Sequence, residues 1–460
     1  MEKAAITTST HFTPRATLAA IGLKLRAIDL FGPISQGVAI NQKTVKYSPA
    51  DKLYDAFITI LAGAHGISEI NTRLRTDKAL QRSFGREACA EQSVVQETLN
   101  HCTSTNVAQL MQAVDHLFRQ HSLAYHHDYR ASLQLLDIDI TGLPCGVKAE
   151  FATKGYFIKQ DHSRRGRQMG RILATHYEEV VADRLYPGNC QLPKTLRYLV
   201  ETAEATLELA EEKRRRTILR VDAGGGSFDD INWMLERGYQ VHCKDYSSQR
   251  AKALATTVQE WVHDPRIKGR QLGWVHCDTL DYLRPVVRVA ARWHKKQGRI
   301  GYGVVVSTLT PEQIIHLLGW PVDRAKDPNA VLRAYAYFYD LRGGGVEEEI
   351  KEDKHGLGIT RRSKKRFEAQ QMVMFLGTLA HNVVVWARRW LSPDVSRLAR
   401  YGVLRLVRDV FQLTGFVQFN AAGGVIRVVL NQASPLAKGL KLALARLLAR
   451  EMIVIQLGET

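Results

Sequence analysis

Apolar residues recur at helical spacing through the first part of the chain, and the pattern switches to strand-like near residue 132. The run "ADKLYDAFITILAGAHG" sets apolar side chains three and four apart and stops at a glycine, and "SVVQETLNHC" and "NVAQLMQAVDHLFRQHS" repeat the pattern. Residues from about 15 to 125 are therefore expected as short helices joined by polar turns, with "NTRLRTDKALQRSFGRE" between them. From residue 132, "SLQLLDIDI" predicts a strand, "GVKAEFATKGYF" a second after the turn "TGLPCG", and "RQMGRILATHY" a third. "LPKTLRYLVETAEATLELAEEKRRR" predicts one long amphipathic helix whose basic end complements its dipole. The strand "TILRVD", the helix "FDDINWMLERG" ended by Gly238, and the strand "YQVHCKD" follow. Three strands, helix, strand, helix, strand is an α/β layer architecture.

Residues 245 to 330 interrupt that order, mixing the helix "AKALATTVQEWVHD" with the strand-like "QLGWVHC", "RPVVRVAARW" and "GYGVVVST". After Pro328 a helical region runs to about residue 392. The tail adds "YGVLRLVRDVFQL", a hairpin "GFVQFNAAGGVIRVVLN" with turn glycines, and a final helix "LAKGLKLALARLLAREM".

Charge changes this picture from a fold to a class of partner. The 460 residues carry 64 Lys+Arg against 46 Asp+Glu, a formal +18. That excess favours a polyanion, because each neutralised phosphate releases condensed counterions. Nucleic acid is the expected partner. At 45% hydrophobic residues the chain can bury a large core, spread over two or three domains. The six cysteines (Cys89, Cys102, Cys145, Cys190, Cys243, Cys277) are dispersed, without metal-ligand spacing, which excludes a zinc ribbon and a disulfide scaffold and fits a reducing cytosol. The N-terminus lacks a signal-peptide pattern, and the most apolar window, "FLGTLAHNVVVWA", is too short to span a bilayer.

Candidate chemistry lies in acidic residues on the strands. Asp137 and Asp139 are two apart in "LLDIDI" and share one face. Asp222 ends "ILRVD" before the glycines of "AGGGSF". Buried carboxylates are costly unless paired or metal-bound, and two on neighbouring strands can share a hard cation such as Mg²⁺. A strand ending in Asp and a glycine turn also suits the phosphate loop of an actin-like ATPase, but the second phosphate loop and adenosine motif of that class are missing. In "YDLRGGGVEEEIKEDK", Glu347, Lys351 and Lys354 fall on one helical face, ahead of the basic stretch "TRRSKKR".

Together these segments resemble a DDE transposase of bacterial insertion sequences, in the cut-and-paste group marked by a Tyr-Arg-Glu-Lys signature. "LLDIDIT", "ILRVDAGGGSF" and "YDLRGGGVEEEIKEDK" match its three acidic motifs in order, and "RLYPGN", "VVVSTLTPE" and "LRTDKALQRSFGRE" match further phrases, over residues of about 15 to 430. The resemblance implies a ribonuclease-H-like catalytic core with an insertion domain, preceded by a helical DNA-binding domain. It divides the chain into 1–128 (helical, DNA-binding), 129–244 with 331–392 (catalytic), 245–330 (insertion) and 393–460 (helical and hairpin tail).

The resemblance further implies catalysis by Asp139, Asp222 and Glu347, with Asp137 as the alternative first position and Glu348 and Glu349 as alternatives to Glu347. Two Mg²⁺ ions, replaceable by Mn²⁺, would be held by the triad, Asp139 bridging both. Tyr339, Arg342, Lys351, Lys354, Arg361, Arg362, Lys364 and Lys365 would engage DNA phosphates; Arg342 stands one residue further from Glu347 than the signature has it. The implied partners are transposon-end and target DNA in a homodimeric synaptic complex, in the bacterial cytoplasm at the nucleoid. Trp274, Trp293 and Tyr302 are candidates to stack on a flipped base, while His126 and His127 lack ligand spacing.

Overall fold

A computed structural model describes residues 8–43, 46–155, 157, 164–276, 282–295 and 298–459. Strand β1 (Ser9–Thr13) precedes the expected helices, among them Ala16–Ala27, Pro49–Leu61, Gln92–His101 and Ser104–His121. Six strands follow: β2 (Gln134–Pro144), β3 (Thr153–Lys154), β4 (Arg165–Ala174), β5 (Glu179–Pro187), β6 (Thr217–Val221) and β7 (Gln240–Lys244). Then come β8 (Val262–His263), β9 (Arg270–Trp274), β10 (Val287–His294) and β11 (Ile300–Ser307), and in the tail β12 (Gly415–Phe419), β13 (Val425–Asn431) and β14 (Val454–Gly458).

Strands β2 to β11 build one sheet in the order β3-β4-β2-β6-β7-β11-β10-β9-β8, with β5 beside β4. β5, β4 and β2 run antiparallel, whereas β2, β6 and β7 are parallel. The parallel centre needs cover on both faces, which is why "QLLDI" and "TILRV" are buried throughout. One face, carrying Leu136, Ile138, Leu219 and Val221, packs on helices Leu196–Leu207 and Phe228–Glu236. The other, carrying Leu135 and Ile218, packs on helix Pro328–Asp340. Period-two alternation puts Asp137, Asp139 and Arg220 on this second face. Beyond β7, residues 245 to 330 continue the sheet through antiparallel β11, β10, β9 and β8.

The N-terminal helices share a single apolar core with the long helix Phe367–Leu391 and the tail. A smaller sheet, β1-β12-β13-β14, ties the start of the described chain to its end.

Several elements differ from the sequence expectation. Among its described residues, "GVKAEFATKGYF" forms a strand only at β3, because turns closed by Ala149 and Ala152 amides and a left-handed Phe151 (φ 57°) precede it. The long helix breaks at Glu208 (φ 51°), leaving Leu196–Leu207 and a short Glu211–Arg215. The helix expected from residue 251 to 264 instead spans Ser248–Ala255. Strands β1, β5, β8 and β14 are additional, β8 lying within the segment expected as that helix.

Helix Val346–Gly356 is clamped by a fully buried charge network. Arg171 of β4 pairs with Asp183 of β5 (2.8 Å) and with Asp353 of the helix (2.6 Å), and His381 Nδ1 lies 2.8 Å from the other Asp353 oxygen. Burial acts to lower the His381 pKa and Arg171 adds to that, but Asp353 and then Glu349, 3.9 Å away, push it up to about 8. A folded-state pKa raised above the unfolded value stabilises fully below about 6.5 and loses that contribution as pH rises through about 8. Glu349, pushed up to about 7 mainly by burial, acts in the same direction, whereas Asp353, held down, is lost only in acid. Between pH 6 and 9 the wild type is expected to lose about 2 kcal/mol from His381. Urea titrations of wild type and His381→Gln across that range check this, and parallel pH curves would refute it.

Candidate active site

The ends of β2 and β6 and the start of helix Val346–Gly356 meet at one open cleft of about 1270 Å³. Asp139, Asp222 and Glu347 all line it. Parallel pairing aligns Asp137 with Arg220 and Ile138 with Val221, so the next positions along bring Asp139 and Asp222 side by side. Asp222 leaves the strand as the cap of a tight turn, its Oδ1 accepting the Gly224 amide at 2.7 Å. The turn is crowded: a Cβ at Gly226 would strike the Lys244 carbonyl. Glu347 lies in the first turn of its helix, where a carboxylate also suits the helix dipole.

Arg342 stands between two of these groups. Its guanidinium lies 3.7 Å from Asp139 Oδ2 and donates to Glu347 Oε1, while Tyr339 stacks beneath it at 6.0 Å. Burial pushes the Asp139 carboxyl up to about 7; Arg342 opposes the rise, and Asp222 and Glu347 add to it. Carboxylate oxygens are the donors that hard divalent cations take, so the set fits Mg²⁺ or Mn²⁺ in kind. As the side chains stand, no three His, Cys, Asp or Glu groups among the described residues enclose an ion.

The alternatives separate cleanly. Asp137 is fully buried and spent on a two-pronged pair with Arg220. Glu348 pairs with Lys351 at 3.0 Å, and Glu349 is buried beside His381; both line a different hollow behind the helix. Only Glu347 of the three faces the cleft.

Basic side chains ring the carboxylates. Lys351, Lys354 and Arg361 line the cleft, with Lys354 Nζ donating to Thr141 at 2.7 Å and Arg361 reaching His65 at 2.8 Å. Two other members of the basic run do not face it. Arg362 is buried and donates to the Ala64 carbonyl, and Lys364 is buried with its ammonium on Gln96. Burial lowers their pKa values to about 9 and about 8, as expected of charges used to join the N-terminal helices to the core. Lys365 is exposed beside them.

Sequence reasoning missed Lys154, Arg164 and the exposed Tyr246, which complete the cleft wall. The signal for Arg164 was the basic run "SRRGR" and for Tyr246 an aromatic directly after "CKD", whereas the lone Lys154 carried none. The aromatic candidates lie elsewhere: Trp274 packs on Tyr335, Trp293 lies against Lys244, and Tyr302 packs with the sheet core. His127 is held by Tyr177 and Ser132, and His126 packs on Tyr125. The described cysteines are free, and Cys277 lies outside the described residues.

Residues 34–451 match the family model described as "Transposase DDE domain group 1". The chain belongs to this DDE transposase family. No curated protein matches it. Among solved structures, a piggyBac transposase synaptic complex with hairpin DNA is similar at 11% identity, covering 88% of this chain and 83% of that one with a TM-score of 0.46. Among the described residues, this DDE transposase chain has no helix long and apolar enough to cross a membrane.

Proposed function

We propose that the protein is a DNA transposase of a bacterial insertion sequence that cuts at the inverted-repeat ends of its element and joins them to target DNA. The observation that carries this reading is the cleft itself: Asp139, Asp222 and Glu347, from two adjacent strands and a distant helix, converge inside a ring of lysines and arginines. Such a site binds a phosphate backbone and presents carboxylates to one phosphodiester. The strand order β5-β4-β2-β6-β7, three antiparallel then parallel, supports a ribonuclease-H-like core, with residues 245 to 330 as an insertion that widens the sheet.

Asp139, Asp222 and Glu347 would hold the divalent ions. When bound, these supply Lewis acidity and an activated oxygen nucleophile for in-line displacement at phosphorus. Lys351, Lys354, Arg361, Lys154, Arg164 and Lys365 bind and orient the backbone of the end DNA. Arg342, beside Asp139 and Glu347 with Tyr339 beneath it, would offer its planar fork to a phosphate at the site. The N-terminal helices read the terminal repeat, two copies of the chain synapse paired ends, and the protein acts in the cytoplasm at the nucleoid.

The test is incubation of the full chain with DNA carrying the element's flanking ends, with Mg²⁺, Mn²⁺ or chelator. Metal-dependent nicking at the ends and joining to a second duplex are expected. Tight, specific end binding without cleavage under any condition would replace this reading with that of an inactive, transposase-derived DNA-binding protein.

A further inference from the structure

A second acid–base pair lies one pleat beneath the cleft. Asp137 and Arg220 precede Asp139 and Asp222 by two residues on their strands, and they face each other in the β2–β6 register. Both are buried, at 0% and 1% exposure. Arg220 donates from Nε and Nη2 to the two Asp137 oxygens at 2.5 and 2.6 Å, and Thr175 donates to Asp137 Oδ2 at 2.7 Å. The third arm of Arg220, Nη1, donates to the Phe338 carbonyl at 2.6 Å, and its guanidinium lies over the Phe338 ring at 4.8 Å. Gly345 completes the enclosure: a Cβ there would collide with Asp137 Oδ2 and lie 3.5 Å from Arg220 Nη2.

These contacts reach the segments that carry the three cleft carboxylates and Tyr339. β2 bears Asp139, β6 leads to Asp222, Phe338 adjoins Tyr339, and Gly345 caps the helix that begins beside Glu347. Neither member lines the cleft. A buried ion pair is a weak source of stability, since apolar residues of similar volume can replace it at no loss. Its fork geometry, by contrast, fixes distance and angle between the elements that it joins.

We infer that Asp137 and Arg220 are a positioning pair that sets the separation of the three cleft carboxylates, acting through the backbone and touching neither DNA nor metal. The inference rests on the function proposed above, because it concerns the geometry of that site. The pair holds two strands, one helix end and one helix start to a common point, and active constellations need such placement to within about 0.5 Å.

The test is the double variant D137L/R220M in the full chain, with Arg220→Lys beside it. Melting temperature, end-DNA affinity and cleavage rate are measured together. The double variant is expected to melt within a few degrees of wild type and bind end DNA within threefold, yet cleave about 100-fold more slowly. Arg220→Lys keeps the charge but cannot hold Asp137 and Phe338 at once, and is expected to cleave about tenfold more slowly at unchanged affinity. A folded double variant, or Arg220→Lys should the double fail to fold, that cuts at the wild-type rate overturns the inference. If the wild type itself cuts nothing, the proposed function fails separately. The pair is then judged by crystal structures: Asp139, Asp222 or Glu347 displaced by more than about 0.5 Å in the folded variant supports it, and unmoved carboxylates overturn it.

Discussion

Asp222→Asn is expected to lower end cleavage by at least about 10³-fold while leaving end-DNA affinity unchanged, the scale seen when one member of a catalytic unit is removed. The substitution keeps size and hydrogen bonding: an amide oxygen can still accept from the Gly224 amide, so the turn Ala223–Gly225 survives. What it loses is charge at the point where β6 opens into the cleft. Affinity should not fall, because removing a negative group from a site ringed by Lys351, Lys354 and Arg361 reduces repulsion of phosphate. Asp139→Asn is expected to behave alike. Glu348→Gln, one residue from Glu347 but paired outward with Lys351, should cut at close to the wild-type rate. Quantified nicking of labelled ends, beside a binding titration for each variant, decides the matter. An Asp222→Asn protein with a tenth of wild-type activity would remove Asp222 from the reaction.

The pattern of these residues shows why parts of the site were legible from sequence. Asp139 stood out because it interrupts a buried apolar run, and Asp222 because it ends one directly before a glycine turn. Glu347 was separated from Glu348 and Glu349 by its helical phase with Lys351 and Lys354, and that phase is what turns it toward the cleft. Phase alone could not show what Asp137 does. Its partner Arg220 lies on a strand whose register with β2 is a tertiary fact.

Long-range packing hid the rest. Arg362 and Lys364 look like the other basic residues of "TRRSKKR", yet Ala64 and Gln96, far back in the chain, receive their charges. The break at Glu208 was obscured because its neighbours are good helix formers and only the left-handed backbone ends the helix. β14 was missed because its five residues follow a helix and pair in parallel with β13, leaving no turn signal.

Arg171→Met is expected to destabilise the protein by about 3–5 kcal/mol, the range for removing one partner of a buried ion pair. Arg171 is the sole arginine joining Asp183 and Asp353 among the described ion pairs, and all three are essentially unexposed. Without it two carboxylates share a buried space with only Thr378, which donates to Asp183 at 2.7 Å, and His381 beside Asp353. Those groups cannot replace a guanidinium that answered both at once. The same substitution on the surface measures the context: Arg215 pairs with Glu211 four residues away, with both side chains more than 60% exposed, and Arg215→Met should change stability by less than about 0.5 kcal/mol. Denaturant titrations of the two variants are the check. A difference of less than about 1 kcal/mol between them would mean that the buried network carries little. Activity should follow stability here, because Asp353 and Glu347 share one helix and Arg171 lies directly across the β2–β4 ladder from Asp139. Loosening that clamp lets the helix shift against the sheet, so Arg171→Met is expected to cleave more slowly even at temperatures where it remains folded.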